Sequence, residues 1–165
     1  MRGVAQAATE PSATPVAEMR DGLSIYRRTG ARLQVPFFLS LFAEASLARK
    51  DWNDGMSAIS EALSLIEETG EGHVVPEVYR IRGDLLVGSN TGDPEADYLK
   101  ALELARLQGT HLFELRAAMS LARLWTDQRK RAEARDLLVP IYEWFTEGFS
   151  TPDLKSAKEQ LEKLN

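Results

Sequence analysis

The 165-residue sequence predicts an all-α fold, an α–α superhelix of about eight helices: three helix pairs, a leading half-repeat and a C-terminal capping helix. Three observations carry this. Apolar residues recur at helical spacing along most of the chain, with Gly and Pro falling between the periodic stretches. Leu115–Gly148 reads as two amphipathic helices joined by a short basic turn. Ala118, Leu121, Ala122 and Trp125 mark the buried stripe of the first, and Ala134, Leu138 and Ile141 that of the second. The pattern also repeats: Met19, Ile59, Tyr98 and Leu138 are 39–40 residues apart, and Gly22, Ala62, Ala101 and Ile141 keep the same step. Thr29-Gly30 recurs as Thr69-Gly70, and Gly109 follows.

The elements follow in order. Residues 1–15 are rich in Ala, Thr and Pro and read as a disordered leader. Residues 16–30 form a half-repeat with Met19, Leu23 and Tyr26 on one face and Gly30 as a C-terminal stop. Residues 36–70 form the first full pair, opened by Pro36 in a first helical turn and closed at Gly70. Residues 75–109 form the second; Asp93 is placed to cap its second helix and Pro94 to start it. Residues 111–148 form the third. Thr151 and Pro152 then open a last helix over 151–164, with Leu154, Ala157, Leu161 and Leu164 on one stripe and a charged outer face suited to a terminal cap. Ala43, Gly83 and Ala122 are small where the two helices of each pair are expected to approach most closely.

The half-repeat has a consequence. It reads as the second helix of a unit lacking its first, so the face of Met19, Leu23 and Tyr26 is expected to lie open. The leader, a partner or a second copy in a homodimer would then cover it.

Composition narrows the function classes. Hydrophobic residues make up 44% and charged residues 27%, an ordinary balance for a folded chain. There is no cysteine, which excludes disulfides, thiolate metal sites and a cysteine nucleophile. A net charge of −5 argues against nucleic acid as the main partner. No apolar run approaches the roughly 20 residues that span a bilayer. The first residues carry no secretory apolar core. No membrane association and a cytoplasmic location are therefore expected.

The spacing of the helix pairs resembles the tetratricopeptide repeat. That family places large apolar, apolar, small and aromatic residues at positions four, seven, eight and eleven of each unit. Leu39, Phe42, Ala43 and Ser46 take those places in the first pair, and Tyr79, Arg82, Gly83 and Leu86 in the second. Arg82 departs from the apolar pattern, Ser46 stands where tyrosine is common, and the turn before Tyr98 is one residue shorter than its counterpart. The step exceeds the family's usual repeat of about 34 residues.

The likeness extends further. GLSIYRRTGARLQVPFFLSLFAEA, AISEALSLIEETGE, ALELARLQG and LRAAMSLARLWTDQRKRAEARDLLVPIYEWFTEGFSTPDLKSAKEQL resemble the C-terminal repeat region of bacterial signalling proteins that join a class III adenylate or guanylate cyclase to an ATPase and such repeats. The resemblance covers residues 16–164 and implies a regulatory, protein-binding segment. The sequence holds neither a GxxxxGK[ST] phosphate loop nor a cyclase metal-binding region, so no catalytic residue carries over.

In such repeats the first helices line a concave groove. The residues this implies are Phe37, Ser40 and Glu44, then Glu77, Arg80 and Asp84, then Arg116, Met119 and Arg123. Arg80, Arg116 and Arg123 have two readings. They could hold an acidic peptide or a C-terminal carboxylate by bidentate pairing, or they could pair with Glu44, Glu77 and Asp84 and space the repeats. The pattern does not match the Lys/Asn carboxylate clamp of repeats that bind chaperone tails. An exposed Phe37 would be a docking site, although core packing also accounts for it.

His73 and His111 stand singly in inter-helix segments, without the clustering a metal site needs. No GxSxG is present, and Glu67, Glu68 and Glu71 read as solvated. Arg129-Lys130-Arg131 with Arg135 reads as a solvated basic turn, since no aromatic residues interleave with it. The expectation is a non-enzymatic interaction module without cofactor or metal, binding a peptide or domain. A small-molecule sensor regulating an attached cyclase or transcription activator is the alternative.

Overall fold

A computed structural model describes residues 13–30 and 32–164, with side chains from Val16 onward. The described residues form eight helices and no strand. They are α1 (Ala13–Arg28), α2 (Val35–Ala48), α3 (Trp52–Thr69), α4 (Val75–Ser89), α5 (Pro94–Gln108), α6 (His111–Asp127), α7 (Arg131–Glu143) and α8 (Pro152–Leu164). The leader expected over residues 1–15 falls mostly outside the described residues. Its last three positions are helical, because α1 begins at Ala13, earlier than the sequence suggests.

The packing order has the form of a helical repeat. Every helix contacts its neighbours in sequence, and α2, α4, α6 and α8 also contact one another in turn. The backbones of α1, α3, α5 and α7 touch only these inner helices. An inner layer and an outer layer result, with the core between them.

Local chemistry accounts for the turns. Pro36, Pro76 and Pro94 sit in the first turns of α2, α4 and α5, where a missing N–H costs nothing. The Asp93 carboxylate accepts from the backbone N–H groups of Glu95 and Ala96, as its position implies. Thr151 behaves differently: its hydroxyl donates back to the Gly148 carbonyl and closes the turn before α8. Gly70 and Gly109 end α3 and α5 in left-handed conformations, at φ 71° and 66°. The turns within the pairs use Lys50, Asn90 and Arg129, all at positive φ. The chain thus reverses by a left-handed residue at equivalent places in each pair.

The small residues lie where expected. Ala43 and Ala122 are fully buried, and a Cβ on Gly83 would stand 2.5 Å from the Tyr98 ring. Arg82 is accommodated by pairing with Asp97 of α5 and lying 4.8 Å from the Tyr79 ring centre. Ser46 is buried, and its hydroxyl has no hydrogen-bond partner.

The face expected to be open on α1 is not. Met19 and Leu23 are buried in the core formed with α2, and Tyr26 is half-buried. The Tyr26 ring meets Phe38 edge-on at 5.3 Å, and its hydroxyl donates to the Leu33 carbonyl. Ile25 is the large apolar side chain of α1 that remains exposed.

Candidate binding groove

The inner helices bring most of the nine implied groove residues into one polar network. Its centre is Arg80, on the second turn of α4 and only 7% exposed. Its Nε and Nη2 donate to the two Glu77 carboxylate oxygens, each at 2.8 Å. Nη1 donates to Asp84 at 2.5 Å, and Nη2 also reaches Glu44 of α2 at 2.9 Å. Arg116 of α6 continues the chain: Nη1 donates to Glu77 at 3.1 Å, while Nε and Nη2 make a bidentate pair with Asp153 of α8 at 2.9 Å. The Tyr98 hydroxyl of α5 donates to Asp84 at 2.7 Å. All four inner helices are thereby cross-linked by charge-assisted hydrogen bonds.

The electrostatics follow from this closure. Burial alone would pull the Arg80 pKa down, but Glu77, Asp84 and Glu44 outweigh it and hold it above the usual arginine value. The hydrogen bond to Asp153 chiefly raises that of Arg116, against partial burial and with help from Glu77. Burial pushes the Tyr98 phenol up, and the neighbouring Asp84 charge adds to the shift. Removing one member of such a buried set costs about 3–5 kcal/mol, because the others are left uncompensated.

The rest of the implied groove divides. Ser40 is buried, and its hydroxyl donates to the Phe37 carbonyl of its own helix. Phe37 is half-buried and packs against Phe38 with ring centres 5.6 Å apart. Met119 is buried, and its carbonyl accepts from Gln160 of α8 at 3.0 Å.

Arg123 stands apart. It is exposed, it donates to the Ser120 hydroxyl at 2.9 Å, and no ion pair forms on it among the described residues. It lines a cleft of about 340 Å³ between α6 and α8, together with Met119, Asp127, Glu159, Gln160 and Lys163. The cleft has an apolar floor, two cations and two carboxylates. That combination suits a peptide with apolar groups and charges of both signs, an acidic group meeting Arg123 or Lys163.

Asp153 and Tyr98 belong to this network although the sequence did not mark them as polar groove residues, and the Arg82–Asp97 pair lies outside it. Tyr98 was legible as a polar group on an apolar stripe and Arg82 as an arginine at an apolar repeat position, whereas no pattern marked Asp153. The histidines do not join it: His73 lies 3.3 Å from Glu71, and His111 lies 3.6 Å from Glu114 and stacks on Trp144. Among the described residues, no three His, Asp or Glu side chains are grouped to hold a metal ion. Within the basic turn, Lys130 faces Glu95 at 3.8 Å and Arg131 donates to the Lys163 carbonyl. Among the described residues no helix is long and apolar enough to cross a membrane.

No family model matches the sequence. The chain is similar to an uncharacterized protein of Rhizobium meliloti (strain 1021), 29% identical over 124 residues. That match covers 74% of this chain but only 12% of the relative's length.

Proposed function

We propose that this chain is a non-enzymatic interaction segment of the tetratricopeptide-like kind, acting within a bacterial signalling protein and receiving an acidic peptide in the cleft between α6 and α8. The observation that carries this reading is the division of the groove arginines. Arg80 and Arg116 are consumed by internal carboxylates, whereas Arg123 bonds, among the described residues, a hydroxyl and faces a cleft of about 340 Å³, room for one or two side chains of a bound peptide. Similarity to a short stretch of a far longer bacterial protein fits a segment that serves a larger assembly. So does the resemblance of its helix pairs to repeats attached to cyclases.

A displayed random-peptide library selected on the immobilised chain tests this. Peptides enriched in Asp and Glu are expected, with binding weakened about tenfold or more by Arg123→Glu. No enrichment, or enrichment indifferent to that substitution, would refute it.

A further inference from the structure

The outer face carries a second surface, independent of the inner cleft. Outer grooves lie between successive outer helices, and the repeat makes them directly comparable. Between α1 and α3 the groove is fenced by two ion pairs, Arg20–Asp54 at 2.7 Å and Arg27–Glu61 at 2.5 Å. Moving on by 79 residues, the step from Met19 to Tyr98, gives the groove between α5 and α7. There Leu99 replaces Arg20 and Pro140 replaces Glu61. Among the described residues no ion pair joins α5 to α7. The result is a groove of about 440 Å³ lined by Leu99, Leu102, Leu121, Trp125 and Leu137. At its rim stands Leu107, 81% exposed, with Glu103 and Arg106 beside it.

This surface is complementary to itself. Leu107 is an apolar knob on the same face as an apolar hole. Glu103 and Arg106 lie three residues apart on the same exposed face of α5, so two α5 helices crossing antiparallel about a twofold axis that passes between them would set Glu103 of each against Arg106 of the other. Leu107 of each would then face the apolar groove of the other, beside Leu99 and Leu137. Lys100 and Glu103 form an exposed pair that is cheaply exchanged, and Arg106 meets the half-buried Glu114 through its Nε, so its Nη groups can take a second carboxylate without breaking that pair. We propose that a second copy of this chain docks in the α5–α7 groove, giving a twofold homodimer held by Leu107 and by reciprocal Glu103–Arg106 pairs.

Sedimentation equilibrium of the full chain across the micromolar range tests it. A concentration-dependent dimer is expected. Glu103→Arg and Arg106→Glu should each weaken it by about tenfold, and combining them should restore it, because the swapped charges face one another again. Leu107→Glu should leave a monomer with an unchanged far-UV circular dichroism spectrum. A wild-type chain that stays monomeric throughout would overturn the proposal and leave the groove to a different helix. A double variant no tighter than either single one would also overturn it.

Discussion

Gly83 and Tyr98 show how finely the pairs are fitted. A Cβ on Gly83 would press into a tyrosine ring that has no room to move, so Gly83→Ala should cost about 1–3 kcal/mol despite its better helix propensity. Gly22 is the control: nothing lies within 4 Å of the corresponding Cβ, and Gly22→Ala should gain up to about 1 kcal/mol. Urea denaturation of the two variants reads both signs. The need for a small residue at position 83 was legible in the sequence from its equivalence to Ala43 and Ala122. The hydroxyl of Tyr98 was not, since its acceptor Asp84 belongs to a network assembled from several helices. Burial raises the Tyr98 pKa, so the native chain keeps a proton that the unfolded chain loses above an ordinary value of 10.0. That stabilisation is complete below pH ~10 and is lost as pH rises toward the native pKa, by about 1.4 kcal/mol per unit. Stability of Tyr98→Phe should therefore fall less steeply with pH above ~10 than that of the wild type. Parallel slopes would show that this phenol does not titrate differently on unfolding.

Helix positions were largely legible because the 39–40-residue step repeats both the apolar stripes and the glycine stops. What stayed hidden depends on packing rather than pattern. The start of α1 at Ala13 lies in a stretch whose composition resembles a linker. The burial of Met19 and Leu23 reflects α2 folding onto the face that the sequence left without a partner. Pro140 is a further case, since it lies inside α7 with its ring exposed and supplies no N–H to the preceding turn. Pro140→Ala should stabilise the chain by about 1–3 kcal/mol, read from the denaturation midpoint. An unchanged or lower midpoint would mean that the proline is compensated within α7.

Across the whole molecule, the arginines distinguish scaffold from recognition surface. Sequence alone left two readings for Arg80, Arg116 and Arg123, because a guanidinium on a concave face serves a ligand or a neighbouring helix equally well. The geometry separates them: Arg80 bonds three carboxylates and Arg116 two, whereas Arg123 bonds a hydroxyl. The most direct measurement is chemical denaturation of Arg80→Gln, Arg116→Gln and Arg123→Gln beside the wild type. Expected are losses of about 3–5 kcal/mol for the first, a smaller loss for the half-exposed second, and a change within about 0.5 kcal/mol for the third. A loss at Arg123 as large as that at Arg80, or none at Arg80, would contradict the division of the groove into a locked network and an open cleft.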